Sequence, residues 1–386
     1  MSNVSNATID LSQYPYINKG LEGIMAFTTG KSSIDGQKGE LIYAGYNINE
    51  LAENATFEEV CFLLWNERLP KSGELTNLKE ELAAHRKLAP EVLKYISSTP
   101  TDAEPMAVLR TAVSMLSNFD MDKSGNSLET NKSKAIRLTA KIPTIIAAFD
   151  RHRNGKNILE PLSDKSTAYN FLYMLNGEHP GENAEKVMDL CLILHAEHGM
   201  NASTFTTRVV CSTLSDMYSA ITAAIGSLKG PLHGGANTAV MNMLLEMDKN
   251  TDVREFILGK LARKEKIMGF GHRVYKTFDP RARLLRKMAK DLAEEVDMLY
   301  LYEWSETILE TMKSEKNIDP NVDFFSATVY YSAGIKPDLY TCIFAMSRVS
   351  GWTAHFLEQL ENNRLIRPRA LYTGEKNLPW EPVEDR

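Results

Sequence analysis

Two short stretches of the chain carry residues that could together remove a proton from carbon and stabilise the negative charge that results. In the first, residues 230–237 read GPLHGGAN, and an apolar helical pattern begins at Ala236. His233 is therefore predicted to lie at a helix N-terminus, where the helix dipole disfavours the imidazolium. A neutral ring in that place could donate a hydrogen bond to an oxygen that gains negative charge. A histidine that only caps a turn would explain this stretch equally well.

The second stretch, NVDFFS at residues 321–326, places one carboxylate among apolar residues. Burial would disfavour the charged form of Asp323 and raise its basicity, as a base that acts on carbon requires. The alternative is that Asp323 caps a helix, which is the commoner role of an aspartate close to an Asp-Pro turn.

A third stretch, residues 267–276, reads IMGFGHRVYK and combines glycines with cations. Gly269 and Gly271 would let the backbone approach a bulky ligand, and the neighbouring Lys and Arg side chains could meet phosphates or carboxylates. The stretch is not a dinucleotide fingerprint, because Val274 stands where GxGxxG needs glycine and no strand pattern precedes it.

The charge distribution points to the same region. Eleven Lys and Arg stand against two acids between Lys260 and Lys290, although the whole chain has a formal net charge of −6. A basic island in an acidic chain favours a compact polyanionic ligand over a nucleic acid. A solvated helix face is the plain alternative.

The elements that must position these residues are mostly helical by periodicity and capping. Thr56 and Glu59 form a capping box, and Pro70 ends the helix that follows. Only residues 25–46 show a strand-like pattern, with a turn at Asp35-Gly36. The sequence predicts a mainly α fold with a small N-terminal β element. Further helical stretches occupy about 74–88, 105–118, 133–150, 166–176, 183–198 and 202–228.

Pro and Gly clusters near residues 230 and 320 predict two domains. Residues 1–229 and 329–386 would form a large helical domain, and residues 230–328 a small one. No apolar stretch approaches the roughly 18 residues that span a bilayer, and residues 1–19 lack a signal-peptide core. We therefore expect a cytoplasmic protein with neither membrane nor nucleic-acid partners. The four widely spaced cysteines are expected to be buried apolar residues.

Taken together, the motifs resemble those of the citrate synthases, and their order and spacing match as well. The resemblance covers most of residues 190–370 and is less specific in the N-terminal half. It rests on PLHGGAN at 231–237, GFGHRVYKTFDPRAR at 269–283 and NVDFFS at 321–326, with further similarity in EHGMNAS at 197–203, SRVSG at 347–351 and RPR at 367–369.

This resemblance implies a homodimer of two-domain helical subunits with shared active sites. Each subunit would condense acetyl-CoA with oxaloacetate and water, with no metal and no other cofactor. Asp323 would be the base, His233 the donor to the enolate oxygen, and His272 the donor to the oxaloacetate carbonyl. The residues implied to bind oxaloacetate are His198, Arg281, Arg348 and, from the partner subunit, Arg367. Those implied to bind coenzyme A are Lys266, Met268, Gly269, Phe270, Gly271, Lys276 and Lys316.

One departure from the family pattern leaves the acyl group open. Many members carry Tyr at position 325 and Gly followed by an aliphatic residue at 327 and 328, where this chain has Phe325, Ala327 and Thr328. The alternative is a 2-methylcitrate synthase that accepts propionyl-CoA, since one methylene in an apolar pocket is worth only about 1–3 kcal/mol.

Two rival functions come from other classes. A zinc hydrolase could use His195 and His198, about one helical turn apart, but it needs a third ligand and lacks an HExxH pattern. A noncatalytic ligand-binding protein could rest on the basic island alone. That reading leaves His233 and Asp323 unexplained.

Overall fold

The computed structural model describes residues 17–122, 125–272 and 274–386. The signal-peptide prediction for residues 1–19 therefore falls mostly outside the described residues, as does Arg273 of the third motif. Residues 30–364 form one compact unit, and the terminal segments 17–29 and 365–386 form another.

Sixteen α-helices occupy the described residues and confirm the mainly α class. In chain order they are α1 Ile48–Asn54, α2 Phe57–Asn66, α3 Ser72–His85, α4 Pro90–Ser98, α5 Pro105–Leu116, α6 Leu128–Arg153, α7 Thr167–Asn176, α8 Glu182–His195, α9 Ala202–Ser212, α10 Met217–Lys229, α11 Ala236–Leu244, α12 Val253–Ala262, α13 Pro280–Glu295, α14 Leu299–Lys316, α15 Val322–Ser332 and α16 Tyr340–Glu361.

Local capping explains where several of these helices begin. The Thr56 hydroxyl accepts from the backbone N–H of Glu59, whose carboxylate accepts from the backbone N–H of Thr56, so the predicted capping box is present. The single helical stretch predicted over 202–228 is wrong, because the chain breaks into α9 and α10. Leu214 has a positive φ of 63°, and Asp216 caps the new helix by accepting from the backbone N–H of Ser219.

The predicted β element is a three-stranded antiparallel sheet in the order β1 (Ser32–Asp35), β2 (Glu40–Tyr43) and β3 (Tyr46–Asn47). Its first turn contacts the third motif. The carbonyl of Gly36 accepts from the backbone N–H of Lys276 at 2.8 Å, and a Cβ on Gly36 would lie only 2.1 Å from the carbonyl oxygen of Val274. Only glycine fits that approach.

Helix α16 runs through the centre of the core and packs against α2, α6, α8, α9 and α10. Every residue from Cys342 to Leu357 is buried, including Arg348 and His355. A helix that is surrounded on all sides belongs to the interior of a large unit. Two charged or titratable groups are therefore held at fixed positions deep inside the protein.

Helices α11 to α14 and most of α15 lie within the predicted small domain, and these helices pack largely against one another. Helix α15 runs without a break past residue 328, where the predicted boundary lies. The division into large and small domains stays a prediction. All four cysteines are buried, as expected. No helix among the described residues combines the length and apolar character needed to cross a membrane.

Candidate active site

Asp323 lies in the first turn of α15, where the cap residue is Asn321. The Asn321 side chain accepts from the backbone N–H of Asp323 at 3.1 Å, so the interpretation of Asp323 as a helix cap is wrong. Burial of the carboxyl group raises the pKa of Asp323 to about 6; Asp279 adds to this rise, while Arg281 and Arg348 oppose it. Asp323 nevertheless keeps part of its surface accessible to solvent. It combines raised basicity with access for a ligand.

His233 lies two residues before Gly235, the cap of α11, in agreement with the predicted helix N-terminus. Its Nε2 accepts from the backbone N–H of Ser203 at 3.3 Å and lies 2.8 Å from the Ser203 hydroxyl, whose single proton can point to Nε2 or to the Asn201 side chain. Nε2 is thus an acceptor, and Nδ1 carries the proton. Burial and the charge of Arg348 lower the pKa of His233 to about 4, so the ring is neutral at pH 7.

His198 and His272 face each other edge to face, with ring centroids 5.2 Å apart. His272 Nδ1 accepts from the backbone N–H groups of Val274 and Tyr275 at 3.0 and 3.2 Å, so its proton is on Nε2. His198 Nε2 lies 3.2 Å from the Tyr275 hydroxyl. Burial and the charge of Arg281 lower the pKa of both rings, that of His272 to about 4.

Arg281 is held by a carboxylate that also anchors helix α15. Asp279 accepts from Nε and Nη2 of Arg281 at 3.1 and 2.8 Å, and from the backbone N–H of Val322 at 3.2 Å. Asp279 therefore joins the first turns of α13 and α15 while neutralising a cation that is 3% exposed. The Arg281 guanidinium also lies over the Tyr275 ring, 6.0 Å from its centroid.

Arg348, unlike Arg281, has no carboxylate partner in the described part of the chain. It is 1% exposed, its Nε donates to the carbonyl of His195 at 2.6 Å, and it lies 4.7 Å over the Phe344 ring. Among the described residues, no carboxylate comes within ion-pair distance of it. Burial lowers the pKa of Arg348 to about 10, which leaves it charged at neutral pH. A buried cation without a paired anion is costly unless a ligand supplies the anion.

The residues predicted to bind coenzyme A lie mainly on the segment before Asp279. Lys266, Lys276 and Lys316 are exposed, while Met268 and Phe270 are half-buried. Phe270 packs against Phe324, the neighbour of Asp323, with centroids 4.7 Å apart. Lys316 ends α14.

Gly269 is explained by internal packing as well as by backbone conformation, and Gly271 by backbone conformation alone. Gly269 and Gly271 have φ of 83° and 77°. Both also pair with the chain before α15. The backbone N–H of Asn321 donates to the carbonyl of Gly269, and the backbone N–H of Gly271 donates to the carbonyl of Asp319. A Cβ on Gly269 would lie 2.9 Å from the Phe324 side chain. The predicted reason for Gly269, approach of the backbone to a ligand, is therefore incomplete.

Part of the basic island is neutralised within the protein. Lys260 pairs with Glu246 and Glu265, and Arg263 pairs with Glu265. Arg286 pairs with Glu306 and Arg281 with Asp279. Because acids from inside and outside the island pair with its cations, its net positive charge in the folded protein is smaller than the count along the sequence suggests.

Arg367 belongs to the unit formed by the terminal segments and is exposed. Its predicted place in a neighbour's active site stays a prediction. Within residues 17–29 and 365–386 the helical structure consists of 3-10 turns, and many large apolar side chains are exposed: Ile17, Leu21, Ile24, Met25, Leu365, Tyr372, Leu378 and Trp380.

Three residues that support the site were not assigned from the sequence. Tyr275 and Asp279 lie inside the quoted motif, and Asp279 could have been found from the Asp-Pro start of a helix, because its side chain accepts from the backbone N–H of Arg281. Ser203 ends the quoted stretch 197–203, but no local pattern signalled its role, since its contact with His233 joins residues that are 30 apart in sequence.

Comparison with known proteins shows the family of the chain. A family profile described as "Citrate synthase, C-terminal domain" matches residues 20–369. Citrate synthase 2 of Bacillus subtilis is 51% identical over 369 residues, which cover 95% of this chain and 99% of that protein. The chain belongs to the citrate synthase family.

A second relative and a solved structure extend this comparison. The 2-methylcitrate synthase of Shewanella oneidensis is 43% identical, over 95% of this chain and 97% of that protein. The crystal structure of a ternary complex of carboxymethyl coenzyme A and oxaloacetate with citrate synthase from Thermoplasma acidophilum superposes with a TM-score of 0.89 at 36% identity, covering 96% of this chain and 99% of that one. The predicted family, fold and enzyme class are confirmed.

Membership in this family removes the two rival classes. The zinc hydrolase also lacks structural support. Nδ1 of His195 bonds to the carbonyl of Cys191, while Nε2 of His198 faces Tyr275. No group of three His, Cys, Asp or Glu residues is placed to hold a metal ion within 17–122, 125–272 and 274–386.

Proposed function

We propose that the protein condenses acetyl-CoA with oxaloacetate and water to give citrate and coenzyme A. The observation that carries the proposal is the grouping of Asp323, whose pKa is raised to about 6, with the buried cations Arg281 and Arg348. A base of moderate strength beside two cations suits proton removal next to a dianionic substrate. The ligands named for the Thermoplasma complex, carboxymethyl coenzyme A and oxaloacetate, match this chemistry.

In the first step, Asp323 takes a proton from the methyl carbon of the thioester. The electron pair moves onto the thioester oxygen, to which the Nδ1–H of His233 donates. Because the pKa of His233 is lowered to about 4, the donor is a neutral imidazole. A neutral donor of this kind stabilises the enolate without protonating it completely.

In the second step, the enolate carbon attacks the keto carbon of oxaloacetate. The Nε2–H of His272 donates to the keto oxygen as negative charge develops there, and one proton, balancing the one that Asp323 removed from the methyl carbon, converts this oxygen to the hydroxyl of citryl-CoA. His198, Arg281 and Arg348 would bind the carboxylates, because guanidinium groups bind carboxylates in bidentate geometry. Water then hydrolyses the citryl thioester and releases coenzyme A.

The acyl group is proposed to be acetyl, with propionyl as the alternative. Phe325, Ala327 and Thr328, the residues that depart from the family pattern, are each 0% exposed. Thr328 lies 3.3 Å from the Ser305 hydroxyl of α14. These side chains pack α15 against its neighbours, so the departure gives little reason to expect a different acyl pocket. Release of free thiol, measured with acetyl-CoA and separately with propionyl-CoA, tests both the reaction and this choice.

No metal is required by this scheme, since His233 and His272 supply the stabilising hydrogen bonds. Activity should survive exhaustive chelation. Loss of activity with a chelator and recovery with zinc would overturn the scheme.

We further propose that two subunits form a homodimer in which Arg367 completes the neighbour's site. The exposed apolar side chains of the terminal unit support burial against a second copy, because a patch of this kind is unfavourable in water. Within each subunit, closure of residues 230–328 over oxaloacetate would exclude bulk water. Oxaloacetate alone should then reduce the small-angle scattering radius, and acetyl-CoA alone should not. The cytoplasmic location stays a prediction.

A further inference from the structure

A buried carboxylate lies directly beside His198 and takes no part in the proposed chemistry. Glu197 is 0% exposed, and its Oε1 accepts three hydrogen bonds. The donors are the backbone N–H of Gly199 at 2.6 Å, the Ser32 hydroxyl at 2.9 Å and His355 Nε2 at 3.0 Å. One oxygen atom therefore joins the loop after α8 to strand β1 and to the central helix α16.

These bonds fix the backbone on both sides of His198. Glu197 precedes it, and Gly199, whose φ is 60°, follows it. The Gly199 N–H is also 3.1 Å from the Ser32 hydroxyl, and a Cβ on Gly199 would lie 3.3 Å from Cδ1 of Ile34. The turn therefore has little freedom to move, and the direction of the His198 side chain depends on the carboxylate that holds it.

The second carboxylate oxygen is held by packing alone. Oε2 of Glu197 has no hydrogen-bond partner among the described residues. It lies against Gly351 of α16, where a Cβ would come within 2.5 Å of it and within 2.3 Å of the Ala196 carbonyl oxygen. Arg348 is three residues before Gly351 on the same helix. The carboxylate thus sets the distance between the His198 loop and the helix that carries Arg348.

The charges around Glu197 and His355 keep Glu197 ionised. Burial alone would raise the pKa of Glu197, but the charge and hydrogen bond of His355, together with the charge of Arg348, lower it overall. Burial alone would lower the pKa of His355, but the charge and hydrogen bond of Glu197 raise it overall. On the far side of His355, Nδ1 lies 3.2 Å from Nη1 of Arg208 and 3.6 Å from the Glu358 carboxylate. His355 Nε2 therefore carries a proton toward Glu197 whether the ring is neutral or charged.

We propose that Glu197 and His355 are positioning residues that hold His198 in the orientation needed to bind oxaloacetate. This inference rests on the proposed role of His198. Neither side chain touches substrate, and both act through the backbone of the loop and through α16. Loss of the ionised acceptor would let the turn at Gly199 relax, and oxaloacetate binding would weaken while the coenzyme A side stays intact.

The test compares Glu197→Gln with Glu58→Gln. Glu58 is a matched control: it is 1% exposed, its Oε1 accepts from the backbone N–H of Thr167 at 2.8 Å, and its Oε2 has no partner among the described residues. Glu197→Gln should raise the KM and the calorimetric Kd for oxaloacetate about tenfold, as expected for a weakened hydrogen bond to a charged acceptor. The KM for acetyl-CoA should change by less than about threefold. Glu58→Gln should lower the melting temperature about as much as Glu197→Gln does, but it should leave the KM for oxaloacetate and the KM for acetyl-CoA unchanged.

Further variants separate the possible failures. His198→Ala should raise the oxaloacetate Kd at least as much as Glu197→Gln does. If His198→Ala has no effect, the role of His198 is wrong and the positioning proposal falls with it. If His198→Ala acts but Glu197→Gln binds oxaloacetate normally, only the positioning role is wrong.

Two more variants keep the proposal testable if Glu197→Gln folds poorly. Ser32→Ala removes one of the three donors from a half-buried position and should give a smaller shift of the same sign in the oxaloacetate Kd. His355→Gln should weaken oxaloacetate binding, and combining it with Glu197→Gln should be no worse than the more severe single change, since both act through one hydrogen bond. Fully additive losses, or no shift in Ser32→Ala and His355→Gln, would overturn the proposal.

Discussion

The two halves of the candidate site are built differently. The half proposed for oxaloacetate consists of buried groups on helices, such as Arg281 and Arg348, whose positions are fixed by neighbours in the core. The half proposed for coenzyme A consists of exposed lysines and positive-φ glycines on the segment around Gly269. Chemistry that depends on exact geometry requires the first kind of construction, while attraction of a flexible polyanion can use the second.

The sharpest way to break this comparison is to remove the proposed base, Asp323. Asp323→Asn keeps the shape of the side chain but cannot accept the methyl proton, so kcat should fall about a hundredfold to ten-thousandfold. Oxaloacetate affinity should stay within a few-fold of the parent. Asp338→Asn is a suitable control, because Asp338 is half exposed and pairs with Arg153. Steady-state kinetics and calorimetry of both variants check this, and turnover of Asp323→Asn close to the parent would remove Asp323 from the mechanism.

A second effect concerns the uncompensated charge. Arg348→Met should weaken oxaloacetate binding about a hundredfold, since a buried charge-assisted contact would be lost. The melting temperature of the ligand-free protein should nevertheless stay equal to that of the parent or rise, because an apolar side chain of similar length replaces an unpaired buried cation. Thermal melts with and without oxaloacetate measure both quantities. A large fall in the ligand-free melting temperature would mean that Arg348 serves stability rather than binding.

Assembly gives a smaller but qualitative effect. An Arg367→Ala chain and an Asp323→Asn chain should each be nearly inactive alone. After subunit exchange at equal amounts, half of the dimers are hybrids, and one site of each hybrid carries neither change. About a quarter of the parental activity should return. Exchange without recovery would show that Arg367 does not reach the neighbouring site.

The smallest effect is expected in the exposed half. Lys266→Ala should raise the acetyl-CoA KM about two- to fivefold at low salt, corresponding to a surface contact of about 1 kcal/mol or less, and the difference should shrink as salt increases. Lys287→Ala, an exposed cation of the same basic island outside the predicted site, is the matched control. Equal effects of both variants would mean that the basic island acts through overall charge only.

The sequence predicted those features that local patterns encode. The capping box at Thr56, the turn at Asp35-Gly36 and the helix start near Ala236 each follow from neighbouring residues, and all are present. The three motifs also contain Asp323, His233 and His272, the residues proposed to be catalytic, and each lies next to a turn or a helix end.

The rest could not be predicted because it depends on packing between distant segments. His355 meets Glu197 across 158 residues, and nothing near either residue signals the contact. The break between α9 and α10 was hidden by continuous apolar periodicity on both sides of Leu214. The reason for Gly269 also became clear only once the Phe324 side chain was seen against it.

The most direct measurement of the central claim isolates the proton transfer from the condensation. Malate has the carboxylates of oxaloacetate but no keto group, so acetyl-CoA bound beside it cannot condense. In D₂O the parent enzyme with malate should exchange the methyl protons of acetyl-CoA, and above a pH of about 6 the rate should level off as Asp323 becomes fully ionised. Asp323→Asn should abolish this exchange while still binding malate. Exchange at the parental rate in Asp323→Asn would contradict the assignment of the base.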